Sequence, residues 1–225
     1  MKILFCLPGK MWSHAFLSGW NQTLLDCSKN NFNISVSIAY SASVYEARNS
    51  VLRGKTKLGP NQKPFEGETA DFDYDFMMWI DSDVAFKSSQ IFRLMKHDKD
   101  IVSGYYKMVS GKYPMIHDYN DNFLEKGWDF ITVDEMEQRQ KDKSGLFKVK
   151  FNGFGFMCIK KGVFESLRYP WFRANWMDLG HAADGTVIRN YVSEDISWCQ
   201  DVIVKGYDIW VDPEVRVGHY KEFTI

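Results

Sequence analysis

Two carboxylates one residue apart close an apolar run, where Phe76-Met77-Met78-Trp79-Ile80 leads into Asp81-Ser82-Asp83. Acids that close together repel, and a hard divalent cation relieves the repulsion while bridging to phosphate oxygens. The plainer alternative is a strand-end turn in which one Asp caps a helix. The apolar run ahead of the triplet favours the metal, because ligands of parallel α/β sheets bind beyond the carboxyl ends of strands. Further on, Gly218-His219-Tyr220-Lys221 offers an imidazole and, two residues later, an ammonium group. Asp81, Asp83 and His219 together form a set that suits manganese or magnesium, manganese being the better partner for nitrogen.

Three other groupings carry usable chemistry. Glu194 and Asp195 follow Ser193 at the start of a helical stretch. There they complement the helix dipole or, facing a cleft, take a proton from a sugar hydroxyl. Arg48 and Asn49, in Glu46-Ala47-Arg48-Asn49, either lie on a solvated face or contact a nucleotide or its diphosphate. Gly153 and Gly155, within Phe151-Asn152-Gly153-Phe154-Gly155-Phe156-Met157, mark either a bulge or a close approach of backbone to ligand.

These groups need elements to hold them. Residues 2–7 form a continuous apolar run broken by Pro8-Gly9-Lys10, which predicts a first buried strand. Residues 13–30 repeat apolar positions at helical spacing, 33–40 are β-branched and alternating, and 44–53 read as a short helix. Residues 58–75 hold Gly59-Pro60, Pro64 and Gly67 and read as a loop. Strand 76–80, helix 88–97 and strand 100–107 complete a strand–helix alternation that argues for an α/β sheet with parallel strands. Beyond it, 112–143 is polar and reads as inserted loops or a hairpin. Residues 147–159 hold one or two strands, 163–168 a short helix, 169–190 a long loop, 193–205 a helix, and 207–211 with 215–217 closing strands.

The composition narrows the function. The 225 residues carry 28 basic and 29 acidic side chains, a net charge of -1, which argues against a nucleic-acid partner. Aromatic residues make up 16% of the chain; most belong in a core, and a surplus could line a sugar site. None of Cys6, Cys27, Cys158 and Cys199 lies in a C-x-x-C pair, so buried reduced thiols are expected rather than a zinc cluster. No stretch is long and apolar enough for a membrane span, and the first apolar run is too short for a signal peptide. A cytoplasmic protein is the expectation.

Taken in order, these motifs resemble the GT-A class of nucleotide-sugar glycosyltransferases, over most of the chain. Leu7-Pro8-Gly9 is similar to the loop that holds the nucleotide, and Trp79-Ile80-Asp81-Ser82-Asp83 to the D-x-D metal motif. Ala47-Arg48-Asn49 is similar to a helix motif of several such families. Gly153-Phe154-Gly155-Phe156-Met157 resembles the segment beside the donor sugar, and Ser193-Glu194-Asp195 the acidic x-E-D motif. His219 matches the C-terminal metal ligand.

The resemblance implies a single catalytic domain over 1–225, with a Rossmann-like, mostly parallel central sheet flanked by helices and a smaller antiparallel sheet on the acceptor side. Residues 1–110 would bind the nucleotide, and 111–225 would close the metal site. It implies a hexosyltransferase using a UDP-sugar, favoured over a GDP-sugar, on a glycan, lipid-linked or small-molecule hydroxyl acceptor. Mn2+ or Mg2+ would be held by Asp81, Asp83 and His219. Pro8, Gly9, Arg48, Asn49, Asp81, Ser82 and Lys221 would face the nucleotide and its phosphates. Gly153 and Gly155 would lie beside the sugar, with Tyr105, Tyr106 and a 169–176 loop that includes Trp176 as the acceptor wall. In an inverting enzyme Asp195 or Glu194 would deprotonate the acceptor; in a retaining enzyme an acid would steady or attack the sugar cation.

Competing readings fit less well. A haloacid-dehalogenase-type phosphatase wants its D-x-D on the first strand and Thr or Val where Ala85 stands. A nucleotidyltransferase would carry a glycine-rich early loop that Pro8-Gly9-Lys10-Met11 lacks. A non-catalytic sugar-nucleotide binding module would keep the metal site without a working acid pair.

Overall fold

The computed structural model describes residues 1–68 and 72–220. In chain order these are β1 Lys2–Pro8, α1 His14–Lys29, β2 Asn33–Ala39, α2 Val44–Val51, β3 Phe76–Ile80, β4 Val84–Ala85, α3 Ser88–Lys96 and β5 Ile101–Tyr105. Then follow β6 Met115–Ile116, α4 Asp121–Lys126, α5 Val133–Lys141, β7 Phe147–Val149, β8 Phe151–Asn152, β9 Phe156–Lys160 and α6 Val163–Ser166. The last are β10 Asn175–His181, β11 Val187–Val192, α7 Glu194–Val204, β12 Ile209–Arg216 and β13 Gly218–His219.

Seven strands form the central sheet in the order β2-β1-β3-β9-β5-β12-β7. Strands β2, β1, β3, β5 and β12 share one direction, while β9 and β7 oppose it. Strands β1, β3 and β9, inside the sheet, are buried on both faces, which is why they read as near-continuous apolar runs. In β1, Ile3, Phe5 and Leu7 point to one face and Leu4 and Cys6 to the other. The first face packs on α1 and α3 through Phe16, Cys27, Ile91 and Leu94. The second meets α2, α6 and α7 through Val51, Phe164 and Trp198. Ser13 caps α1, its Oγ accepting from the Phe16 N–H at 3.1 Å. All four cysteines are free and buried. No helix among the described residues is long and apolar enough to cross a membrane.

The sequence expectations change most in two places. The polar stretch 112–143 holds two short helices, α4 and α5, and a two-residue strand rather than a hairpin. The stretch 169–190, expected as a loop, contains β10 and runs into the antiparallel β10–β11 hairpin. Its strand signal is diluted by Gly180, where the register shifts after Asp178.

Candidate functional site

The chain crosses the carboxyl ends of β1, β2 and β3 at one rim, and the D-x-D triplet follows β3 there. The amide of Val84 donates to the Asp81 carbonyl at 3.1 Å, closing a tight turn. Gly9, just after β1, lies against this turn; a β carbon there would come within 2.7 Å of Ser82 Cβ, so only glycine fits. Pro8, Gly9, Asp81, Ser82 and Asp83 line one cavity of about 400 Å³, together with Lys10, Tyr40, Ser41 and Ala47. The Lys10 ammonium lies 5.5 Å from the Tyr40 ring centre. Tyr40 and Ser41 were not picked out from sequence, although the strand-end rule that singled out Asp81 applies equally to residues just beyond β2.

The second strand of the triplet's turn brings in the histidine. β13 pairs antiparallel with β4, setting His219 opposite Val84. The Tyr220 amide donates to the Asp83 carbonyl at 2.7 Å. His219 Nε2 then lies 3.0 Å from Asp83 Oδ2, while its Nδ1 is buried without a hydrogen bond. Tyr106 packs its ring on the imidazole at 4.7 Å. Lys221, expected on the phosphates, lies outside the described residues.

Asp81 has a different partner. Arg48, projecting from α2 and only 4% exposed, directs Nη2 to Asp81 Oδ2 at 3.2 Å and Nη1 to Glu194 Oε1 at 2.9 Å. Its guanidinium is 5.1 Å from the Phe154 ring centre and 5.8 Å from that of Phe172. Burial alone would lower the Arg48 pKa, but Asp81, Glu194 and Asp195 outweigh it and raise it. Burial raises the Glu194 pKa against the pull of Arg48. Burial, with Asp81 and Asp195 nearby, also pushes the Tyr106 phenol up, so it stays protonated. Asp195 is half-buried; its Oδ1 accepts from the Ser193 hydroxyl and from the Ile196 amide at 2.9 Å.

Among the described residues no three His, Cys, Asp or Glu side chains converge closely enough to hold a metal by themselves. The expected trio is therefore brought together only in part: Asp83 and His219 meet, and Asp81 is held by Arg48. The pair still fits a dication. Its 3.0 Å separation matches the edge between adjacent ligands of an octahedral ion with bonds of about 2.1 Å. One carboxylate and one imidazole suit manganese, and such ions commonly complete their shell with water and substrate phosphates.

The remaining expected residues scatter. Asn49 is spent on architecture: its Nδ2 donates to the Phe172 carbonyl at 2.7 Å and its Oδ1 accepts from the Phe172 amide at 3.2 Å. Tyr105 is 1% exposed, packed on Tyr113 in the core, and its hydroxyl donates to the Pro213 carbonyl at 3.1 Å. Gly153 and Gly155 do permit a close approach, but to Tyr106. A β carbon on Gly155 would meet Tyr106 Cε1 at 2.9 Å and Asp81 Oδ2 at 3.2 Å. Trp176 stands 64% exposed on β10.

No protein-family profile and no curated protein matches this sequence. Solved structures do. One is the crystal structure of A197 from STIV, 16% identical, covering 100% of this chain and 97% of that one at a TM-score of 0.48. Another is GalNAc-T7 with UDP, GalNAc and Mn2+, 11% identical, covering 99% of this chain at a TM-score of 0.51. This chain spans 43% of that neighbour's length. The second likeness, with the mainly parallel seven-stranded sheet, identifies the fold as GT-A-like. At such identity the likeness reaches the fold and nothing finer.

Proposed function

We propose that this protein is a metal-dependent glycosyltransferase that moves a sugar from a nucleotide diphosphate sugar to a hydroxyl acceptor. The observation that carries the reading is the meeting, at one sheet rim, of the Pro8-Gly9 loop, the Asp81-Ser82-Asp83 turn and His219 beside a cavity of about 400 Å³. The GT-A-like fold supports it, and the neighbour solved with UDP and Mn2+ makes a UDP-sugar with manganese the first donor and cofactor to try.

In this reading Asp83 and His219 hold the ion, with Asp81 beside them. A bound dication supplies positive charge to the leaving diphosphate. The chain's own residues do the rest. The Gly9 and Ser82 backbones form the floor under the phosphates, and Lys10, which lines the same cavity, adds charge. Arg48 pairs with Asp81 and Glu194 and orients both, and acts as a positioning residue rather than as the nucleotide contact expected of it. Tyr106, protonated, holds the imidazole plane and presents a hydroxyl beside Gly153 and Gly155, where the donor sugar would lie. Asp195 is the acceptor base of choice in an inverting reaction, because Glu194 is tied to Arg48.

The test is release of free nucleotide from a panel of UDP- and GDP-sugars, with Mn2+ or with chelator, and with glycan acceptors. Manganese-dependent release of UDP is expected. Release of inorganic phosphate instead would point to a phosphatase, and tight nucleotide binding without turnover to a binding module.

A further inference from the structure

The outer face of the β10–β11 hairpin takes no part in the rim site. Register sets Trp176 opposite Tyr191 and Asp178 opposite Arg189. The inner face buries Leu179, Ile188 and Val192. On the outer face Trp176 is 64% and Tyr191 58% exposed, their rings edge to face at 5.8 Å. Beside the rings, Arg189 Nε reaches Asp178 Oδ1 at 2.5 Å. Trp176, Met177, Asp178 and Arg189 border a shallow surface depression. The strand that carries Tyr191 ends at Val192, and the chain passes at once to Ser193, Glu194 and Asp195.

We propose that this face binds an unbranched saccharide and presents its end to the acid pair as the acceptor. The proposal rests on the glycosyltransferase reading and names the substrate class of its acceptor side. A pyranose has an apolar C–H face and an edge of hydroxyls. Aromatic rings take the first. A carboxylate that accepts and a guanidinium that donates take the second, and here they form the next pair on the same face, two residues along each strand. Other occupants match less well. Nucleic acid would need an excess of cations, and this face carries one charge of each sign. A peptide adding to the hairpin edge would not need two large rings on the flat face.

The test is calorimetric titration of the whole chain with chitotriose, maltotriose, cellotriose and mannotriose, with UDP plus Mn2+ titrated separately. At least one trisaccharide should bind in the millimolar range or tighter. Trp176→Ala should weaken it about tenfold or more, and Trp176→Phe should restore most of the loss. Both variants should bind UDP with Mn2+ as the parent does. Absence of binding by all four sugars, or equal binding by Trp176→Ala, overturns the proposal. Self-association that sedimentation detects and Trp176→Ala abolishes also overturns it, giving the face to a second copy. Saccharide binding through Trp176 in a chain that ignores UDP and Mn2+ upholds the site and removes the transferase reading.

Discussion

Arg48→Met removes the cation that joins Asp81 to Glu194 while keeping much of the side chain's apolar bulk between Phe154 and Phe172. The two legs differ. Arg48 and Glu194 are 5% and 12% exposed at 2.9 Å, and breaking a buried pair of this kind costs about 3–5 kcal/mol. The Asp81 carboxylate is 28% exposed, so its leg is screened and contributes about 1 kcal/mol or less. With the lower half of the first range, since Glu194 is near the rim, the expected loss is about 3–4 kcal/mol at neutral pH. The loss arises from an ionised Glu194 left without its partner. Burial already raises the pKa of this group, and removing Arg48 raises it further. A raised carboxyl pKa favours the folded state when protonated, so the penalty of the variant should shrink as pH falls from 8 towards 5. Urea titrations at several pH values measure this directly. Arg48→Met/Glu194→Gln should recover at least half of the loss, because the acid no longer needs a cation. A loss below about 1 kcal/mol, a penalty independent of pH, or a double variant as unstable as the single would refute the account.

Other outcomes follow from the same geometry. Asp83→Ala and His219→Ala should each abolish the thermal stabilisation given by Mn2+ with UDP, which for ligand at a hundred times its Kd amounts to about 2.7 kcal/mol, while the ligand-free melting curve moves little. Gly153→Ala would drive a methyl group into the Tyr106 hydroxyl and within 3.1 Å of Pro114 Cγ. It should cost about 1–3 kcal/mol, less in a Tyr106→Phe background, as read by denaturant midpoints. Asp212 is 1% exposed; burial raises its pKa, but hydrogen bonds from Arg93, His97 and the Glu214 amide outweigh this and hold it low. That stability is present above about pH 4 and is lost as pH falls through the lowered folded-state pKa, so Asp212→Asn should be about 2 kcal/mol less stable at neutral pH and show a flatter acid limb.

The sheet was legible where strands are doubly buried: residues 3–7 and Phe76–Ile80 carry unbroken apolar runs, Ile101–Tyr105 is fully buried around Ser103 and Gly104, and the helices between them show their period. The rim position of Asp81-Ser82-Asp83 followed from the end of such a run. The hairpin Asn175–Val192 was hidden because one face is solvated and bears Trp176, Arg189 and Tyr191 instead of a simple alternation. Tyr105 and Tyr106 show the same limit at the scale of one residue. Tyr105 ends β5 and packs on Tyr113, whereas Tyr106 just after it packs on His219, and composition cannot tell which goes where. The Arg48 bridge was beyond reach, since it joins residues 33 and 146 positions apart in the chain.

Strand β9 lies between β3 and β5, pairing Cys158 with both Met78 and Val102. Until that late segment arrives, two hydrophobic strands made early in the chain have open hydrogen-bonding flanks. Ordering of the sheet thus waits on contacts of long sequence separation, which slows folding. A fragment ending near residue 110 would keep those flanks bare and associate with its own kind.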